Sequence, residues 1–198
     1  MKINFGILDV EMTCDGRQEG NKFIDNGRMK RSEREIISVG FIVVDNNYNI
    51  QRKYKSFVKP AHCTKLTEYC KNLTGIKQSD VDCGKKCNDA FFDIMKICAK
   101  YRAEIILTFG NADKAGIYSS AKFCKKAKEQ VHSLYSVSSK IVDVRPIIIE
   151  LLKLKKHKKN IGLFKIAELL KLKCNVKKHN AFNDVMILRK ICNKLKLS

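Results

Sequence analysis

What most constrains the fold of this chain is the order of its apolar segments. Three strand-type stretches, at about residues 3–12, 35–45 and 49–58, follow one another before any long helical pattern. The second and third are separated only by the short Asn46-Asn47-Tyr48 link, so the three read as an antiparallel meander. From residue 104 the pattern changes. Strand-type runs at 104–109 and 140–144 then alternate with helical stretches at 113–129, 146–156, 163–171 and 180–196. Two shorter helical stretches, around Leu66–Leu73 and Asp89–Lys100, make the transition. Helix–strand alternation calls for parallel pairing with helices on the sheet faces. The expectation is therefore an α/β fold: a mixed five-stranded sheet, antiparallel meander first and parallel strands after, flanked by helices.

Nothing in the sequence divides this pattern in two. There is no internal repeat or low-complexity linker, and the prolines are only two, Pro60 and Pro146, so residues 1–198 read as one domain. With 44% apolar and 30% charged residues the chain has enough apolar side chains for one sizeable core, which excludes a disordered tail. No run approaches the ~20 consecutive apolar residues that cross a bilayer, and an acidic residue, Asp9, arrives too early for an export signal; a cytoplasmic location off the membrane is the expectation. The nine cysteines are an odd number in a long chain and read as reduced thiols. Cys83 and Cys87, with His62, Cys63 and Cys70 upstream, lack the regular paired spacing of a zinc site.

Charge narrows the class of partner. Lys and Arg number 40 against 20 acidic residues, a formal +20, and residues 100–198 carry +16 of it. A lysine-rich surface would account for many lysines, but not for the shortage of acids in one half. The imbalance points to a polyanion. Residues 153–178 hold ten lysines and one acid, Glu168, and lead directly to His179.

Against this background a few acids stand in unexpected places. Alternation puts Phe5, Ile7, Asp9 and Glu11 on one face of the first strand, so two carboxylates continue a core-facing row. Buried anions side by side repel each other and lose hydration, and a divalent cation would remove both costs; the plainer alternative is an exposed strand end. In the last helix Ala181, Val185, Leu188, Cys192 and Leu195 form an apolar stripe with Asp184 at its margin. His179 stands five positions before that aspartate, either as a surface histidine or as a proton acceptor beside a metal ligand. Asp113 follows the 104–109 strand where a helix begins, as a cap or as a ligand. Asp143, in Ile-Val-Asp-Val-Arg, has no partner motif and reads as structural.

Asp9-Val10-Glu11, Asp113 and His179 with Asp184, taken in order, resemble the DEDDh family of 3′-to-5′ exonucleases, which have a ribonuclease H-like fold. The likeness extends to Glu35-Ile36-Ile37-Ser38-Val39-Gly40, Phe57-Val58-Lys59-Pro60, Leu73-Thr74-Gly75-Ile76 and the Ile161-Gly162-Leu163…Ala167-Glu168-Leu169-Leu170 segment, most of the chain. Glu11-Met12-Thr13-Cys14 and Phe-Val-Lys-Pro look closest to the branch of Eri-type RNA-trimming exonucleases. That branch commonly has a tryptophan near the third acid, where this chain has Phe109-Gly110-Asn111-Ala112 and no Trp at all. The polar stretch 14–34 has no assigned counterpart.

The resemblance implies a metal-dependent 3′-to-5′ exonuclease that releases nucleoside monophosphates from single-stranded or overhanging nucleic acid, with RNA the favoured polymer. It implies two Mg²⁺ or Mn²⁺ ions ~3.5–4 Å apart, with Asp9 bridging them, Glu11 and Asp184 completing one shell and Asp113 holding the second ion through water. His179 would take the proton from the attacking water, and Met12 and Thr13 would meet the terminal nucleotide. Two other readings keep the same scaffold: a nucleic-acid-binding module without turnover, and an endonuclease.

Overall fold

The computed structural model describes residues 4–19, 22–25, 28–154 and 161–197. The central strand is β1, Asn4–Met12, and its alternation decides the layering. Leu8 and Val10 point into one core with Phe41, Phe91, Ile106, Ile117 and Leu134, while Phe5 and Ile7 point into another with Ile42, Ile148, Ile166, Val185 and Leu188. Each face of the sheet thus receives its own helical layer.

After β1 come a hairpin, β2 (Gly16–Glu19) and β3 (Lys22–Asp25), and a single 3₁₀ turn at Arg31–Glu33. The meander is completed by β4 (Ile36–Asp45) and β5 (Ile50–Lys59), each antiparallel to its predecessor in the sheet. Then follow α1 (Glu68–Thr74), α2 (Gln78–Asp82), β6 (Lys85–Lys86), α3 (Cys87–Tyr101), β7 (Ala103–Thr108), α4 (Ala112–Lys126) and α5 (His132–Ser138). The described chain closes with β8 (Ile141–Asp143), α6 (Arg145–Leu151), α7 (Leu163–Leu169) and α8 (Ala181–Leu195). Strand order is β6-β5-β4-β1-β7-β8, with β7 parallel to β1 and β8 parallel to β7.

The mixed α/β architecture matches the expectation, with additions too short or too polar to carry a periodic signal. The two-residue β6 makes the main sheet six-stranded instead of five, and the β2–β3 hairpin forms a separate two-stranded sheet within the polar 14–34 stretch. The short helices α2 and α5, of five and seven residues, have no counterpart in the expectation. The expected 146–156 helix ends at Leu151; its last two residues, Lys155 and Lys156, and also Lys158 and Lys159 of the basic stretch, lie outside the described residues. No described helix is long and apolar enough to cross a membrane.

Two devices bring α8 onto the sheet beside β1. Asn180 caps it, its side-chain oxygen accepting from the Asn183 amide at 3.1 Å, while Val185, Leu188 and Cys192 bury its apolar stripe. Gly40 of β4 lies opposite Asp9 in the register, and a Cβ there would stand 2.5 Å from the carbonyl carbon and oxygen of Ala181. Only a residue without a side chain admits the start of α8 so close to the strand.

Candidate active site

Past Ile7 the α8-facing row of β1 changes from apolar to acidic, just where α8 starts. Asp9 and Glu11 pair with Gly40 and Ser38 of β4, and Asp184 enters from the first turn of α8. One ligand atom from each of Asp9, Glu11 and Asp184 lies within 4.8 Å of the other two. Among the described residues this is the one group of three or more acidic, Cys or His side chains so arranged, and no cysteine belongs to it.

Asp113 arrives by another route. Gly110, at φ +97°, turns the chain after β7 so that α4 begins at Ala112 and Asp113 falls in its first turn. There the side chain is buried and its Oδ1 accepts the Val10 amide at 3.0 Å, a bond that ties α4 to β1 beyond the last β7 pairing. Its charge acts on Asp9 more strongly than that of Glu11 or Asp184 does. Thus all four acids singled out in the sequence meet around one end of β1, three as a compact cluster and Asp113 against the strand.

All four carboxylates are strongly perturbed. Burial, followed by the charges of Asp113, Glu11 and Asp184, holds Asp9 well above the usual carboxylate range. Burial and the neighbouring Asp184 and Asp113 push Glu11 up to about 8. Burial raises Asp113 to about 7 against the downward pull of the Val10 amide, and Asp184 to about 7 against that of the His179 amide. Asp184 Oδ1 is buried and accepts no hydrogen bond, an orphaned acceptor aimed into an acidic cluster. Hard oxygen donors, mutual repulsion and an unsatisfied lone pair are the donor set that suits a small divalent cation such as Mg²⁺ or Mn²⁺.

The structure places His179 in the loop before α8, in a left-handed conformation with φ 56°. Its side chain is solvent-exposed, and it is its backbone N–H that reaches Asp184. The protein around the ring, then Lys178 and Lys177, lower its pKa below the ordinary histidine value, which favours the neutral, proton-accepting form. Met12 is half-buried at the end of β1, its thioether filling the space that Gly116 of α4 leaves. Thr13 is buried, its hydroxyl accepting the Glu35 amide at 2.9 Å and its own amide donating to the Glu35 carbonyl at 2.7 Å.

Two supporting residues have a larger part than their sequence context suggested. Asp143, read as structural, accepts both the Gly110 amide at 2.7 Å and the Arg145 amide at 2.9 Å through Oδ1, and so fixes the turn that delivers Asp113. An acid at the end of a strand next to the one bearing the site is the signal that could have found it. Glu35 is buried, and its carboxylate takes amides from Ala61, His62 and Cys63 at 2.6–3.1 Å, clamping the loop after β5 beneath Thr13.

Comparison with known proteins adds an independent finding. The family model described as Exonuclease (RNase_T) matches residues 7–192. The 3'-5' exonuclease eri1 of Schizosaccharomyces pombe is 38% identical over 77 residues, 38% of this chain and 23% of that protein. A solved structure titled for the 3'-end specific recognition of histone mRNA stem-loop by 3'-exonuclease superposes with a TM-score of 0.79 at 17% identity, covering 98% of this chain and 64% of that one. The nuclease domain of 3'hExo, a DEDDh family member bound to rAMP, gives 0.73 at 17% identity, covering 97% of this chain and 90% of that one. At such identities the structural likeness is one of fold. The chain spans about a quarter of the length of the yeast relative.

Proposed function

Because the chain belongs to the exonuclease family, in its DEDDh, Eri-type branch, we propose that it is a metal-dependent 3′-to-5′ exonuclease that removes nucleoside monophosphates one at a time from the 3′ end of single-stranded or overhanging RNA. The observation that carries this reading is the convergence of Asp9, Glu11 and Asp184 within 4.8 Å of one another. Such a cluster is costly unless it binds cations. The named properties of the relatives, histone mRNA recognition and bound rAMP, support RNA as the polymer.

Asp9, Glu11 and Asp184 would hold one Mg²⁺ or Mn²⁺, and Asp9 with Asp113 the second. When bound, such a pair of ions supplies positive charge for the attacking and leaving oxygens of an in-line displacement. The chain's own residues do the rest. The Val10 amide keeps Asp113 oriented while it is ionised, and the His179 amide does the same for Asp184. His179, whose lowered pKa favours the neutral form, would accept a proton from the attacking water. Met12 and the backbone of Thr13 face the terminal nucleotide. Exposed lysines of the 161–178 segment, Lys165, Lys171, Lys173, Lys177 and Lys178, give the approaching strand a basic surface, so affinity should fall steeply with salt.

The test is direct. Purified protein with 5′-labelled single-stranded RNA and the matched DNA, in Mg²⁺ or Mn²⁺, should produce a ladder shortening from the 3′ end, faster on RNA. Binding without shortening beyond an Asp9→Ala control would leave a binding module instead, and internal cuts would make it an endonuclease.

A further inference from the structure

We propose that Arg31, Arg34 and Arg145 form a phosphate-binding pocket that grips the nucleic-acid strand at a linkage neighbouring the scissile one, and that gripping this linkage is what the 14–34 segment contributes. The proposal rests on the exonuclease reading above.

A cavity of about 460 Å³ opens between Met12, the residue after Glu11, and the start of α4. Its floor is small and apolar, at Met12, Ala115 and Gly116. Around it stand three arginines from two separate parts of the chain, and no acidic side chain is among its described lining residues. Each arginine is set there by identifiable contacts. Arg31 and Arg34 belong to the 3₁₀ turn that ends the 14–34 stretch, the Arg34 amide donating to the Arg31 carbonyl at 3.3 Å. Directly after them the chain is pinned twice. Glu35 is anchored by Thr13 and by the three loop amides, and the Ile36 amide donates to Ser120 Oγ of α4 at 2.9 Å.

On the opposite wall Asp143 holds the Arg145 backbone, and the guanidinium lies 6.0 Å from the Phe109 ring centroid. It also lies beside Gly110, close enough that a Cβ there would meet it at ordinary contact distance, 3.5 Å.

Three guanidinium groups line one cavity with no acidic side chain among its described lining residues, and guanidinium groups bind the oxygens of a phosphate bidentately. Met12, which lines this cavity, directly follows Glu11 of the acidic cluster in β1, so a strand whose scissile phosphate sits at the cluster would bring an adjacent phosphate to the arginines. The apolar floor then meets sugar or base. The same chemistry would also suit a phosphate at the 3′ end of the strand, and the experiment separates these two sources.

The full chain is titrated, in Ca²⁺, with a 5′-labelled ten-nucleotide RNA and with versions carrying one uncharged methylphosphonate at each of the three linkages nearest the 3′ end. A further version ends in a 3′-phosphate. Wild type should lose about tenfold in affinity when one particular linkage is neutral. Arg31→Gln/Arg34→Gln should lose about as much on the unmodified RNA and become indifferent to that linkage, with its salt slope shallower by about one unit. Should the double variant not fold, Arg145→Gln provides the same reading from a different segment. Equal sensitivity of wild type and variants to every neutral linkage would overturn the proposal, and so would a loss confined to the 3′-phosphate version. Shortening in Mg²⁺ is scored separately: wild type that binds with this pattern but never shortens RNA sinks the exonuclease reading and leaves the pocket standing.

Discussion

Gly40→Ala tests whether the close approach of α8 to the sheet is what assembles the site. The added methyl would stand 2.5 Å from the carbonyl carbon and oxygen of Ala181 and 2.6 Å from the Phe182 nitrogen, all backbone atoms that no side-chain rotation can clear. Reaching ordinary contact, at 3.4 Å, needs a separation of about 0.9 Å. The strand is held on both sides, by β1 and β5, so the start of α8 is what moves, and it takes Asp184 away from Asp9 and Glu11. Overpacking of this kind costs roughly 1–3 kcal/mol, worth about 2–4 °C of melting temperature per kcal/mol in a domain of this size. Misplacing a catalytic group by about 1 Å costs on the order of 10²-fold in rate. Activity should therefore fall about a hundredfold while the protein remains folded at 25 °C, and the midpoint for Mn²⁺ activation should rise. Thermal melts, 3′-end trimming and Mn²⁺ titration read the three effects. Gly162→Ala is the control, because a Cβ there meets nothing within 4 Å. A Gly40→Ala protein with wild-type melting, turnover and Mn²⁺ response would refute the argument.

Other consequences follow from the charges and from the turn before Asp113. In metal-free protein Glu11, Asp113 and Asp184 titrate at about 8, 7 and 7, above the 4.5, 3.8 and 3.8 of the unfolded chain, so the native state holds their protons more tightly and stability should decline as pH rises from about 4 to 8. Urea melts in EDTA at pH 5 and pH 8 check this, and greater stability at pH 8 would contradict it. Mn²⁺ must displace those protons, so its stabilising effect should grow over the same interval, and Asp184→Asn should stabilise the metal-free protein while abolishing the gain from Mn²⁺. His179→Ala should cut turnover by about 10²–10⁴-fold and remove the acid limb of the pH–rate profile, which in wild type falls below pH 6.5. Asp143→Ala should lower turnover by about tenfold through loss of the Gly110 and Arg145 bonds. Asp143→Asn, which keeps the accepting oxygen, should restore most of it; equal damage from both would mean that charge, not the turn, is what matters.

The sequence alone determined the layering and singled out the four acids that meet at one end of β1. Alternation in β1 has a fixed period, so Phe5, Ile7, Asp9 and Glu11 share a face whatever else the chain does, and acids in a core-facing row are anomalous on that ground alone. The run of three strands before any long helix likewise fixed a meander, and the apolar stripe of α8 placed Asp184 at its margin. Residues far apart in the chain meet only through strand register and helix docking, and neither is a local property. That Gly40 lies across from Asp9 and admits α8, that the Val10 amide claims Asp113, and that Asp143 holds the turn before it were decided by tertiary structure. So was the gathering of Arg31, Arg34 and Arg145 around one cavity. A polar stretch without periodicity gives no sign of where it will pack. Only the folded chain brings its guanidinium groups beside Met12, because buried anchors at Glu35 and Ser120 hold the turn in place.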